Sequence, residues 1–496
     1  MAITLSFYDP HRIKDTFFLT VIPNCHLTDL TSKRNSILYF DTVDHDLYKA
    51  GIRFYAMEIT KGWLIAITGE DASTVSGTWG VNGAKLPMPI LNTLLDEKIK
   101  GAVGKIIGHK PLVELMKLDY SQHSGIMETD TNKRIRITYD QGKIVVGKKV
   151  EFVSEVCLDP LDATDADVAK IAAKIAAGVP VYVEMASKYQ RGLYLAGLRV
   201  EAREAIVNWE SAQNGLQDLL VKQIERIFTA QKLFIKDTSN PETLHQLRVQ
   251  IRRLRVYLQL AGPLLNTEEY LQWRGYFRTL GNSMNRLRDT DVLIDLCHEI
   301  TSFISLDGKN KTPLEIILQT NRGIEVEDVK SALLSGQPTT MLLRFTIWLN
   351  ENAFLSEARG LDFKKFTIKR LQKWIGRMQE LGKELDTKTM LELHQLRIIG
   401  KKVRYAIEGL ELDRNNRILK NLKLLQENLG NIHDAAVQAE TLEKLISDHT
   451  DLLMNRNIGI LVGWTARMKY ESQQKLNKDW IAFCYTIGQW QKYVKK

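Results

Sequence analysis

Two segments of this 496-residue chain repeat one another at a constant offset of 149: HQLRVQIRRLRVYLQLA at 245–261 and HQLRIIGKKVRYAIEGL at 394–410. The tetrapeptide HQLR is identical, and His245, Arg248, Arg252, Arg253 and Arg255 are answered by His394, Arg397, Lys401, Lys402 and Arg404. Both segments have the 3.6-residue period of an amphipathic helix, so this part of the chain is expected to fold as a duplicated helical module. At 100° per residue, His245, Arg248, Arg252 and Arg255 fall within about 80° of arc, beside an apolar stripe of Leu247, Ile251, Leu254 and Leu258. The second copy sets His394, Arg397, Lys401 and Arg404 beside Leu396, Val403, Ile407 and Leu410. Arg253 and Lys402 lie about 80° off their stripes and are the weakest candidates.

A helical rise of about 1.5 Å per residue makes each cationic row ~15 Å long. A single phosphate needs one cluster or a helix N-terminus, whereas two such rows suit a linear polyanion. Each charge-assisted hydrogen bond contributes ~1.5–3 kcal/mol, so a few together give tight but salt-sensitive binding. A second element follows each row: Arg288-Asp289-Thr290-Asp291-Val292 and His433-Asp434-Ala435-Ala436-Val437. Aligned on the aspartates, Arg278 stands opposite Lys423, and Met284-Asn285 takes the place of Leu429-Gly430. This adds Arg278, Arg288, Lys420, Lys423 and His433 to the candidate lining, with Asp289 and Asp434 as structural partners that hold arginines in place. The competing reading is structural. A basic stripe is most often a solvated face, a duplicated bundle repeats its structural residues too, and His245 and His394 could simply serve the core. Tyr257, Trp273, Tyr276 and Phe277 read as core, since nothing spaces them as a stacking platform, and this weighs against single-stranded nucleic acid.

The charge is unevenly divided: residues 1–200 carry a net charge of +1 and residues 201–496 one of +8. Seven of the eleven prolines also fall in the first 200 residues, where SILYFDT, GWLIAIT, RIRITYD and KVEFVSEVCL read as strands. Asp140-Gln141-Gly142 reads as a hairpin turn, and DATDADVAKIAAKIAAG as a helix with an Asp/Thr-rich start and a Gly stop. The class is α+β: a β-rich domain over 1–204, then an all-α domain over 205–496 with repeat halves at about 205–304 and 341–496. A looser connection is expected from Ser305 to Thr340. Cys25, Cys157, Cys297 and Cys484 form no Cys-x-x-Cys pair and are expected to be reduced, buried thiols. No signal peptide or apolar span is legible, which points to the cytosol and away from membranes. No cofactor and no metal is expected. Self-association stays open.

The two basic helices, the Arg-Asp-x-Asp-Val element and LKNLKLLQENLGNIHDAA together resemble the CHAD family, the conserved-histidine α-helical domain, over about residues 215–496. The resemblance implies two pseudo-symmetric four-helix bundles around a basic channel that binds inorganic polyphosphate, and with it an association with polyphosphate granules. Residues 1–200 are similar to the CYTH family, the triphosphate tunnel barrel, through LYFDTVDHDLYKAGIRFYAMEITKGWLIAIT, YDQGKI, FVSEVCL and SKYQRG. That family implies a Glu-x-Glu-x-Lys strand holding a divalent cation against triphosphate. Here those positions read Thr4, Ser6 and Tyr8; Tyr55 and Met57 replace paired arginines, Thr68 a lysine and Cys157 a carboxylate, while Glu155, Lys188 and Arg191 remain. Losing the first carboxylate pair and the phosphate-gripping arginines removes most of such a site, so no catalytic residues are expected. Arg134 and Arg136 share a strand face that could touch an anion or stay solvated. The leading expectation is a non-catalytic polyphosphate binder; the alternatives are a metal-dependent triphosphatase and a nucleic-acid-binding protein, the last disfavoured.

Overall fold

The computed structural model describes residues 2–9, 27–69, 76–86, 88, 90–93, 96–198, 210–303, 313–412, 417–448 and 452–494. The chain separates into two compact units, Met1–Ala205 with Ser335–Ile347, and Ile206–Leu334 with Trp348–Lys496. The division expected near residue 205 falls among residues 199–209, outside the described ones.

In the first unit, nine strands form one antiparallel sheet: β1 (Ile3–Phe7), β2 (Leu27–Asp41), β3 (Ile52–Ile59), β4 (Gly62–Gly69), β5 (Gly77–Asn82), β6 (Val113–Glu128), β7 (Arg134–Val146), β8 (Lys149–Pro160) and β9 (Val181–Val183). Their order is β5-β4-β3-β2-β6-β7-β8-β1-β9, so the meanders β2 to β5 and β6 to β8 are joined where β6 pairs with β2, and β1 lies between β8 and β9. No ladder joins the edge strands β5 and β9 among the described residues. All four β-rich runs of the sequence lie on strands. The hairpin turn expected at Asp140-Gln141-Gly142 does not form: these residues lie inside β7, paired to β6 on one side and β8 on the other. The glycine there serves close approach, since a Cβ on Gly142 would lie 2.2 Å from the Asp119 carbonyl oxygen. The chain turns instead at Gly147, whose φ is +55°.

The helices of this unit are α1 (Asp46–Lys49), α2 (Glu97–Ile107), α3 (Asp165–Gly178) and α4 (Lys188–Leu195). Helix α3 starts where expected, at a capping box in which the Thr164 side chain accepts from the Asp167 amide and Asp167 answers to the Thr164 amide. Residues 335–347 belong to this unit through contacts that local sequence does not announce. Thr340 Oγ1 donates to the Ala173 carbonyl at 3.4 Å, and Gly336, at φ +76°, comes so close to Ala176 that a Cβ would lie 1.9 Å from its carbonyl oxygen.

The second unit is helical: α5 (Ala212–Lys236), α6 (Pro241–Ala261), α7 (Thr267–Asn282), α8 (Asn285–Phe303), α9 (Pro313–Leu334), α10 (Gln337–Glu351, shared with the first unit), α11 (Phe363–Leu381), α12 (Met390–Gly409), α13 (Arg417–Asp448) and α14 (Leu452–Val494). The loose connection expected from Ser305 to Thr340 is mostly ordered: its residues 313–334 are α9, although 304–312 lie outside the described residues. The repeat spans whole helices, α5 with α11 and α6 with α12, while α7 and α8 together match the unbroken α13. Helices α11 to α14 bury one core around Leu396, Val403, Leu422 and Phe483. A second core joins α8 and α9 to the far ends of α13 and α14 through Leu293, Leu318, Leu442 and Ile458. The first of these is the core of a four-helix bundle, and the second ties the two halves together. Every apolar residue of the two predicted stripes is buried, which turns the adjoining cations toward the edge of the core. Of the described cysteines, Cys297 is buried and Cys157 and Cys484 are only half-buried, against the expectation that all are buried.

Candidate functional site

The two basic helices line one cavity of about 380 Å³. Helix α6 supplies His245, Arg248, Val249 and Arg252; α12 supplies Arg397 and Lys401; α8 adds Arg288 and Asp289, and α13 adds His433 and Asp434. Both helices are started by side-chain caps. The Asn240 side chain accepts from the Glu242 amide ahead of Pro241, and Thr389 forms a capping box with Glu392. Five basic side chains (Arg248, Arg252, Arg288, Arg397 and Lys401) thus meet two carboxylates, Asp289 and Asp434. The lining is cationic by composition.

Electrostatics record how close the rows come. Burial lowers the Lys401 pKa, and Arg252 of the facing helix together with Arg397 brings it to about 7. Arg397 is lowered by burial as well, with Arg252 opposing its charge and Asp434 supporting it. Arg248 falls to about 10, through burial and then Arg252. Two arginines are held by partners on the adjoining helices: Arg248 Nη1 donates to Asn285 Oδ1 at 2.8 Å, and Arg397 Nη2 to both Asp434 oxygens at 3.0 and 3.2 Å. Asp434 therefore has the positioning role expected of it. Asp289 makes no such bond among the described residues; burial raises its pKa while Arg248 lowers it. Asp291 is fully buried and holds Arg322 Nε at 2.7 Å, outside the cavity lining.

The two partners correct the alignment made on the aspartates. Asn285 and Asp434 stand 149 residues apart, as do Arg248 and Arg397, so the offset of the basic helices continues into the next element. At that offset Leu280-Gly281-Asn282 repeats as Leu429-Gly430-Asn431, and the aspartate alignment was displaced by four residues, one helical turn. The lining obeys the same offset: Arg288 and Val437, Asp289 and Gln438, and Val292 and Thr441 are pairs 149 apart whose members both line the cavity. Asn285, Gln438 and Thr441 were missed for this reason, although the repeated Leu-Gly-Asn was the available signal. Between Asn282 and Asn285 the chain breaks from α7 to α8, whereas α13 runs unbroken past His433.

His394 does not line the cavity but meets His433, which does; their Nδ1 atoms are 3.2 Å apart and the rings lie at 4.2 Å between centroids. One hydrogen joins the two nitrogens, so at least one ring is an acceptor there. Burial and then Arg397 lower His433 to about 4; burial and then Arg397 also lower His394, and burial with Arg288 lowers His245. Of the remaining candidates, Arg253 and Arg404 are ion-paired to Glu408 at 2.7 and 3.5 Å, and both guanidinium groups lie over the Tyr405 ring. Lys423 is exposed and lies 3.9 Å from Glu427, and Lys420 is exposed; neither lines the cavity. Arg255, Arg278 and Lys402 lie beyond the cavity lining. Tyr257 and Phe277 are fully buried, and Trp273 stacks on Phe277 at 6.1 Å, as core residues do.

The first unit has its own cavity, of about 490 Å³, lined by Thr4, Asp140, Glu155, Asp159, Glu184 and Lys188 among others. The cations there are already occupied. Lys188 pairs with Glu155 and, at 2.6 Å, with Asp140, while Arg191 Nη1 donates to the other Glu155 oxygen at 2.7 Å and Nε to Glu151 at 3.0 Å. Burial alone would lower both cations, but the carboxylates hold both above their ordinary values. Thr4 Oγ1 faces Cys157 Sγ at 3.5 Å, and the Tyr8 ring packs on Tyr182. No cluster of three or more potential metal ligands occurs among the described residues. A divalent cation does not fit this donor set: both Glu155 oxygens are taken and the first strand offers hydroxyls. Arg134 is tied to Asp162 at 3.0 Å and Arg136 is exposed, as a solvated strand face requires.

Among the described residues no helix is long and apolar enough to cross a membrane. No curated protein matches this chain. Among solved structures, the CHAD domain of the plant Ricinus communis is 19% identical with a TM-score of 0.43, covering 57% of this chain and 94% of its own. PptA from Streptomyces chartreusis is 15% identical with a TM-score of 0.42, covering 55% and 99%. HpAC1 from Hippeastrum, described as a candidate adenylyl cyclase with a dominant triphosphatase activity, is 14% identical with a TM-score of 0.27, covering 40% and 97%. At these scores the likenesses carry no argument about activity. The family model of the CHAD domain matches residues 218–443, a range that contains both basic helices and every residue of the cationic cavity.

Proposed function

We propose that this chain binds inorganic polyphosphate in the cavity between α6 and α12, without turning it over. The observation that carries the reading is the convergence of both cationic rows on one cavity, where Arg252 and Lys401 have no ion-pair partner among the described residues. Like charges brought together in a half-buried place repel one another, and an anion relieves that repulsion. A linear polyanion presents oxygens to Arg248, Arg252, Arg397 and Lys401 at once, which a single phosphate cannot do. Calorimetry with long-chain polyphosphate should give an affinity that falls steeply as salt rises. Binding that is absent at low salt would remove the proposal. RNA or DNA that competes at concentrations comparable to polyphosphate would point instead to nucleic acid.

We read the first unit as a CYTH-like scaffold whose cavity no longer supports hydrolysis. Its cations are neutralised by Asp140, Glu151 and Glu155, so they are not free to grip a triphosphate. Removing either cation would leave buried carboxylates unpaired, which gives Lys188 and Arg191 a structural role in this unit. The full chain incubated with tripolyphosphate and Mg²⁺ or Mn²⁺ is expected to release no phosphate above a heat-killed control. Turnover that saturates with substrate and is lost in Glu155→Gln would restore the triphosphatase reading.

A further inference from the structure

The cationic row on α6 continues past the cavity. Arg255, about one turn beyond Arg252, lies against α7, its Nη1 3.8 Å from where a Cβ on Gly281 would stand. Its Nε is buried with no hydrogen-bond partner. Burial lowers its pKa, and the neighbouring charges of Arg252, and of Arg278 and Arg274 on α7, lower it further. Lys402 of α12 meets the same group: burial lowers it, followed by Arg274, Arg255 and Arg377 of α11. Five cations from four helices converge here, and none is ion-paired or hydrogen-bonded to a carboxylate among the described residues. Arg274 and Arg377 were not candidates from the sequence; Arg274 is the mate of Lys423 at the offset of 149, while nothing in the repeat marks Arg377.

The duplicated half provides an internal comparison. At the same offset Arg255 corresponds to Arg404, Lys402 to Arg253 and Arg274 to Lys423. That mirrored place is neutralised, since Glu408 pairs with both Arg253 and Arg404 and Glu427 stands beside Lys423. The residues that correspond to Glu408 and Glu427 are Gln259 and Arg278. One helical frame therefore carries a neutralised extension on one side and an uncompensated cationic one on the other. Burying and gathering like charges costs free energy unless a counter-charge arrives, so the uncompensated side is the one built for an anion.

We infer that Arg255, Arg274, Arg278, Arg377 and Lys402 form a second anion-binding station, continuous with the cavity through Arg252, that receives the part of a linear polyphosphate emerging on the α7 and α11 side. The inference rests on the polyphosphate reading. It gives the site a chain-length preference and a direction: tripolyphosphate occupies the cavity alone, whereas a long chain occupies both places and leaves by one side only.

The test compares tripolyphosphate with a long-chain polyphosphate on the full-length chain at fixed low salt. Arg274 and Arg377 are exposed, so the double variant Arg274→Gln, Arg377→Gln removes two charges with little risk to the core, and an unchanged melting temperature checks this. It is expected to weaken long-chain binding about tenfold or more and to leave tripolyphosphate binding within twofold of wild type. Lys423→Gln, on the neutralised side, should change neither. An unaltered long-chain affinity, an equal loss for both ligands, or an equal loss from Lys423→Gln would each overturn the second station while leaving the polyphosphate reading intact. If the wild-type chain binds neither ligand, both fall together.

Discussion

Changing Arg252 and Lys401 together to glutamate is expected to lower the affinity for long-chain polyphosphate by at least two orders of magnitude. The two groups line the same cavity, close enough for Arg252 to lower the Lys401 pKa, on helices related by the repeat, and both lack ion-pair partners among the described residues. Each stands to make charge-assisted bonds worth ~1.5–3 kcal/mol, and reversing the charge adds repulsion to that loss. The choice of residues matters for interpretation. Arg397 holds Asp434, so its removal would leave a half-buried carboxylate unpaired and confuse a folding defect with a binding defect. Arg253 and Arg404 are already bound to Glu408 and are expected to matter less for binding. Calorimetry at constant ionic strength, with the circular dichroism melt as a folding control, decides the matter. A loss smaller than tenfold in a well-folded variant would move the ligand out of this cavity.

Affinity should also fall as pH rises above neutrality, by up to about tenfold per unit, because binding takes up a proton. The Lys401 ammonium in the free chain is held at about 7 by burial and by Arg252 and Arg397. A seated polyanion favours the charged form and raises that value, so between the free and bound values one proton enters with the ligand. Lys401→Arg keeps the charge at all these pH values and should flatten the profile between pH 7 and 9. Below neutrality the histidines act in the same sense. His433, held at about 4 by burial and then by Arg397, His394 and Lys401, is neutral in the free chain, and an anion would raise it. The same shift affects stability with a defined sign. Folding lowers Lys401 from 10.5 to about 7, so the unfolded chain binds more protons across that window and the ligand-free protein gains stability as pH rises through it. A flat affinity profile from pH 7 to 9 in the wild type would show that Lys401 does not meet the anion.

Much of the helical unit was legible because its signal is redundant. A cationic position can be solvated by accident once, but a row kept at a constant offset beside a kept apolar stripe identifies both the buried face and the face that borders it. Turn chemistry was less dependable. Asp140-Gln141-Gly142 has the composition of a hairpin turn, yet Gly142 serves the contact between β6 and β7, and only the partner strand reveals it. The alignment on the aspartates failed for a related reason. Asp289 and Asp434 are the same residue type but not the same place, because the constant offset of 149 makes Asn285, not Asp289, the mate of Asp434. Asn285 holds Arg248 where Asp434 holds Arg397, and a neutral amide standing for a carboxylate is invisible to a search for charge.

The sequence by itself determined the helical period, the duplicated module, its buried stripes and the cationic rows beside them, because each depends on residues near one another along a helix. It also determined that the first strand, Ile3–Phe7, carries no carboxylate. Only the tertiary structure decided which cations are available. Arg255 and Arg404 are mates along the repeat, as are Arg253 and Lys402, yet Glu408 neutralises Arg253 and Arg404 while, among the described residues, no carboxylate pairs with Arg255 or Lys402. Coulomb energy depends on distance through space, and residues on different helices set that distance.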